Sequence, residues 1–127
     1  MTDRYYAYPA DVREYTGVMP DDLGFDSERE LNDCLEKWLK QATSLIHEHQ
    51  GMDYFDELEV IPKMVNNIAV RIVANMVAQA KVRRQSTIVR VDDMDVQGVV
   101  DRVLTDGIKV DLSVLPREGA HNRFVLL

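Results

Sequence analysis

A chain of 127 residues with one cysteine, 46% hydrophobic and 29% charged side chains has material for one packed core and for no intramolecular disulfide. The composition excludes a disordered chain; the apolar runs are broken by Arg71, Asn75 and Gln79 before they reach membrane-spanning length, and Met1-Thr2-Asp3-Arg4 opens no secretory leader. A formal charge of −7 works against tight duplex binding, because non-specific affinity comes from Lys and Arg displacing counterions from phosphates.

The first element in chain order is a short helix over about Pro9–Thr16. Proline suits a first helical position, Asp11 favours the positive end of the helix dipole and Gly17 can close the helix, with Val12 and Tyr15 turned toward the core. Val18–Asp26, with Pro20, two aspartates and Gly24, reads as a loop pinned by Leu23 and Phe25. Ser27-x-x-Glu30 is a capping box, in which each side chain satisfies a backbone N–H at the helix start. From it Leu31, Leu35, Trp38, Ala42, Leu45 and Ile46 recur at helical spacing up to Gly51, with Lys37, Lys40 and Glu48 off the stripe.

A second long helix is predicted from Asp56 to about Arg84. Its apolar positions fill most of the circumference and leave one polar stripe, Asn67, Arg71, Asn75 and Gln79. Such a helix needs cover from more than one side. The expectation is that part of it meets a neighbouring subunit, which places Val65, Ile68, Ile72 and Met76 in a subunit interface or in the core.

After Ser86 the pattern changes. Thr87–Val91 reads as a strand; Val96, Val99, Val100, Val103 and Leu104 fit a short helix interrupted by Gly98; Thr105-Asp106-Gly107 reads as a turn. Ile108, Val110, Leu112 and Val114 alternate with Lys109, Asp111 and Ser113, the period-two signature of a half-buried strand ended by Pro116. Arg117–Leu127 then runs out to an apolar Phe124-Val125-Leu126-Leu127. The fold class is mainly α: a small helical bundle of a short helix, two long antiparallel helices and room for a short fourth, with a minor β element and an extended C-terminal arm. Residues 1–85 form the bundle and 86–127 the extension and arm, within a single domain.

Chemistry-bearing patterns are few. His47-Glu48-His49 places two imidazoles two residues apart, on nearly opposite sides of a helix, where a HExxH metal site needs four; in the last turn before Gly51 they suit the helix carbonyls instead. Asp93-Met94-Asp95-Val96-Gln97-Gly98 imitates the start of a calcium loop, making Asp93 and Asp95 the only metal candidates, but the twelfth position, which needs a bidentate Glu, is Leu104. Cys34 shares the apolar face of Leu31, Leu35 and Trp38 and would lie roughly 20 Å along the helix from His47, at 1.5 Å per residue. Phosphate-cradling, nucleophile-elbow and zinc motifs are missing, so neither a cofactor nor catalysis is expected. Lys81, Arg83 and Arg84 suit a helix C-terminus and can also meet a phosphate or an acidic partner. The first two helices can be taken for a helix-turn-helix, but the would-be recognition segment, residues 27–36, carries Asp33 and three glutamates against one arginine.

The order Tyr8-Pro9-Ala10-Asp11-Val12-Arg13, Thr16-Gly17-Val18 and Asp21-Asp22-Leu23, then Ala42, Leu45-Ile46, Gly51, Ile61-Pro62, Val65 and the apolar helix ending near Arg83, resembles the head-tail adaptor (connector, head-completion) proteins of tailed phages and archaeal tailed viruses. It covers about the first two-thirds of the chain; Tyr8 departs from the small hydroxyl residue that often precedes this proline. The resemblance implies a non-enzymatic virion protein at the portal vertex, made in the host cytoplasm. It implies a homo-oligomeric ring, commonly twelve-fold, between the portal protein and a downstream connector, stopper or tail protein, with genomic DNA passing through without specific binding during packaging and ejection. The C-terminal segment, here Asn122, Arg123, Phe124, Val125, Leu126 and Leu127, would be the portal-binding arm, and no membrane is involved. The bias toward Asp over Glu and Arg over Lys would suit a salt-rich host. The alternative function is a small helix-turn-helix DNA-binding regulator; a third, a calcium-regulated module or enzyme, rests on Asp93 and Asp95 alone.

Overall fold

A computed structural model describes residues 4–86 and 100–117. The chain is mainly helical: α1 (Pro9–Thr16), a 3-10 turn (Pro20–Leu23), α2 (Glu28–Gln50), α3 (Tyr54–Glu57), α4 (Lys63–Ser86), α5 (Val100–Val103) and α6 (Asp106–Ser113). Among the described residues there is no strand. The predicted strand at Thr87–Val91, most of the predicted 96–104 helix, Asp93, Asp95 and the arm residues Asn122–Leu127 lie outside the described residues.

Both short N-terminal elements start by one device. In Tyr8-Pro9-Ala10-Asp11 the proline presets the first helical residue and the Tyr8 N–H donates to Asp11 Oδ2 at 2.9 Å; in Met19-Pro20-Asp21-Asp22 the Met19 N–H donates to Asp22 Oδ2 at 2.8 Å. The aspartate at the third position thus supplies the reciprocal half of a capping box that Tyr8 and Met19 cannot begin. Val12 is buried as expected, but Tyr15 is 59% exposed, at the edge of the α1–α4 contact beside Asn66, Asn67 and Val70.

α2 begins at the predicted cap. Ser27 Oγ accepts from the Glu30 N–H at 3.2 Å, while the Glu30 carboxylate accepts from the Ser27 hydroxyl at 3.3 Å. Gly51 ends the helix at φ 71°, a left-handed conformation that glycine adopts without Cβ strain, and returns its N–H to His47 O at 2.8 Å. One face of α2, from Leu31 and Leu35 through Trp38, Leu39 and Ala42 to Ile46, is wholly buried. Each such leucine or isoleucine contributes on the order of 2 kcal/mol relative to exposure.

The predicted Asp56–Arg84 helix is two elements. Asp53 caps α3, its Oδ1 accepting from the Phe55 N–H at 2.8 Å, and the chain then extends to Pro62 before α4 starts at Lys63. Pro62 explains the break, because its ring disfavours helical backbone at Ile61. Val65, Ile68, Ile72 and Met76 are all 0% exposed within the single chain. α4 packs against α2, α1, the 3-10 turn, α5 and α6. The cover that its girth demands therefore comes, along these positions, from the chain itself rather than from a neighbour.

The strand predicted over Ile108–Val114 is a helix. Thr105 caps it, its Oγ1 accepting from the Ile108 N–H at 3.4 Å, so Thr105-Asp106-Gly107 is the start of α6 rather than a turn into a strand. Ile108 and Leu112 fall on one face of α6 and are buried, as is Leu115 just beyond its end, whereas Val110 and Val114 are each 64% exposed. Positions 108 and 112 satisfy both periods, and burial of Leu115 rather than Val114 decides between them.

Candidate functional site

The polar stripe of α4 is where the C-terminal helices attach. Arg71 Nη1 pairs with Asp111 Oδ2 on α6, Asn75 Nδ2 donates to Val103 O at 3.0 Å, and Arg102 Nη1 donates to Gln79 Oε1 at 3.3 Å. Three of the four stripe residues, Arg71, Asn75 and Gln79, are thus partners for α5 or α6, while Asn67 accepts from Arg71 within α4. The Arg71 and Asp111 side chains are 26% and 37% exposed, so solvent screens the pair.

A second polar cluster sits where α2 ends. Tyr6 Oη, His47 Nε2 and the Tyr54 N–H meet: Tyr6 Oη shares a short hydrogen bond with His47 and accepts from the Tyr54 N–H at 3.1 Å. The Tyr6 ring stacks on Phe55 at 4.5 Å between centroids and meets His47 edge-on at 5.3 Å. Beyond it, Gln50 Nε2 donates to Leu112 O at 2.8 Å and to Tyr54 Oη at 3.0 Å, and Tyr54 Oη donates to Pro116 O. Burial raises the pKa values of Tyr6 and Tyr54, and burial lowers that of His47 against the opposing pull of Asp53 and Asp56. These directions keep the phenols protonated and favour a neutral imidazole. They are those of a structural hydrogen-bonded cluster and not of a nucleophile, which would need a phenol pushed down.

His47 lies in the last turn of α2 as expected, with Asp53 Oδ1 3.5 Å from its Nε2. A helix-end cation needs the imidazolium, which burial opposes and the Asp53 and Asp56 carboxylates favour. His49 bonds the Gln50 side chain at 2.8 Å, so the two histidines do separate jobs and do not converge. Among the described residues no group of three His, Cys, Asp or Glu is placed to hold a metal ion, and no helix is long and apolar enough to cross a membrane. Cys34 is buried among the apolar side chains of α2, at 5% exposure. Sequence reasoning missed Tyr6, Gln50 and Tyr54 altogether; the only signal was Gln50 as a polar residue one position before the capping glycine.

The surface offers an open, largely apolar groove beside α1, lined by Pro9, Ala10, Gly17, Val18, Met19 and Asn32 together with Glu14 and with Arg13, which pairs with Glu28. It lacks the convergent polar groups of a substrate pocket. Exposed large apolar side chains include Tyr8, Tyr15, Met19, Val110 and Val114. The start of α2 and the turn before it present Asp21, Asp26, Glu28, Glu30, Asp33 and Glu36 to solvent against Arg29. In comparisons with known proteins, no family model matches the chain, and no curated protein or solved structure matches it.

Proposed function

We propose that the chain is a head-tail adaptor of a tailed virus: a non-enzymatic virion protein whose small helical bundle forms a ring below the portal and links it to the next connector or tail protein. The observation that carries this reading is the coincidence of the resemblance with the punctuation of the fold. Pro9 and Asp11 start α1, Gly17 closes it, Gly51 closes α2 and Pro62 precedes α4, so the residues that carry the likeness are the ones that set helix length and direction. Because Val65, Ile68, Ile72 and Met76 are spent on the core, contacts between copies in such a ring fall to exposed side chains such as Tyr8, Tyr15 and Met19. The acidic start of α2 would repel DNA passing through a channel rather than hold it.

The segment Asn122–Leu127 is the proposed portal-binding arm. Deleting the residues after Gly119 should abolish capture by the portal protein while leaving the helical circular-dichroism spectrum unchanged; unchanged capture would remove the arm's role. Imaging a purified particle, with this protein located at the neck or elsewhere, tests the reading as a whole. The regulator alternative is disfavoured because the exposed positions of the α2 start are mainly acidic. A mobility shift on duplex DNA that weakens steeply with salt would favour it instead.

A further inference from the structure

We infer that α3 couples the two ends of the described chain, so that loosening residues 4–6 releases the segment that follows α6. This goes beyond the adaptor reading and does not depend on it.

The argument starts from the size of α3. Four residues make one turn, too short to hold a position by their own hydrogen bonds, so α3 sits where its contacts put it. Those contacts come from both ends. On one side, the Tyr54 N–H donates to Tyr6 Oη at 3.1 Å, the Tyr6 ring stacks on Phe55, Arg4 lies 4.8 Å from the Phe55 ring centre, and Arg4 reaches Asp56 at 3.3 Å. On the other side, the hydroxyl of the same Tyr54 donates to Pro116 O, beside Gln50 on Leu112 O. Tyr54 is 0% exposed and Gln50 2%, so neither has water as a substitute partner.

The N-terminal segment is itself held to α2 and α4 by side-chain bonds. Tyr6 N donates to Thr43 Oγ1 at 3.4 Å, Asn66 Nδ2 donates to Tyr6 O at 2.9 Å, and Tyr5 Oη donates to Glu36 at 3.1 Å. Anything that grips residues 4–6 from outside must disturb this side of α3. When Tyr54 moves, Pro116 O loses its hydroxyl donor and keeps only the longer bond from Gln50 Nε2 at 3.4 Å among those described. Linkage makes the effect mutual: release of Pro116 loosens Tyr6 by the same factor.

The test is amide hydrogen exchange on the full chain, residue by residue. Tyr6→Phe keeps the ring stacked on Phe55 and removes only Oη; Tyr54→Phe removes the donor to Pro116 and the acceptor for Gln50 Nε2. Both should speed exchange at Val114, Leu115 and Arg117 roughly fivefold, the effect of losing one hydrogen bond, with Leu35–Ile46 of α2 unchanged. Gln50→Leu should speed exchange at Tyr6 and Ala7 in the reverse direction. If Tyr6→Phe leaves 114–117 at the wild-type rate while Tyr54→Phe accelerates them, the clamp is local and the coupling is wrong. Should Tyr6→Phe accelerate α2 as well, Arg4→Ala, an exposed change on the same segment, decides: faster exchange at 114–117 supports the coupling, and no change overturns it.

Discussion

Trp38 is completely buried, and its Nε1–H has no hydrogen-bond partner among the described residues. The indole is therefore present for its volume, and its polar edge is a cost. Trp38→Phe should destabilise by less than about 2 kcal/mol, since it removes the orphan donor along with some packing, whereas Trp38→Ala should cost about 3–5 kcal/mol. Urea unfolding followed by circular dichroism, which does not rely on this single tryptophan, distinguishes the two. His47 supplies a pH dependence. Its unfolded value is 6.5 and its folded value lies lower, because burial outweighs Asp53 and Asp56, so between the two the unfolded chain binds more protons. Stability is then complete above pH 6.5 and falls as the pH drops through that value, until the folded imidazole also protonates. Thermal melts from neutral to mildly acid pH should show this decline in the wild type, and His47→Gln should lack that part of it. The helix position of His47 was legible in the sequence; its burial was not, because Tyr6 and Phe55 reach it from segments 41 and 8 residues away.

Elements were legible where their signals were local. Pro9, Gly17, Ser27 and Gly51 mark ends that the structure keeps, because a cap acts within one turn. Two errors came from periodicity. The Asp56–Arg84 pattern ran through Pro62, whose backbone restriction outranks a run of apolar residues, and the 108–114 alternation fitted a strand as well as a helix until Leu115 was counted. The second error has a direct test. In a strand Val110 and Leu112 would share a face and their truncations would cost alike; in α6 they do not, so Leu112→Ala should cost about 2–5 kcal/mol and Val110→Ala within about 0.5 kcal/mol of nothing. Equal losses in chemical denaturation would falsify the helix. The polar stripe of α4 was legible, but its partners were not, since a sequence does not say which distant helix will supply Val103 O or Asp111.

For the whole molecule, charge is unevenly placed. Asp21, Asp22, Asp26, Glu28, Glu30, Asp33 and Glu36 face only Arg29 within residues 20–36, in a chain whose formal charge is −7. Like charges so close repel in dilute buffer and are screened over about 8 Å at physiological salt. Raising sodium chloride from low to molar concentration should therefore raise the melting temperature, and charge-reversal of Glu30 and Asp33 to lysine should flatten that response. A melting temperature that falls with salt would show that attractive pairs such as Arg13–Glu28 dominate instead.

The seam along Asn75, Arg71 and Gln50 joins parts of the chain far apart in sequence, with α5 and α6 held by side chains as well as by the buried Val103, Ile108, Leu112 and Leu115. The last helices are thus fastened to α4 and α2 by contacts of their own. Two fragments made separately and mixed, one ending after residue 86 and one starting at residue 100, should find each other and restore a cooperative melt, making the protein a natural scaffold for split-reporter assembly.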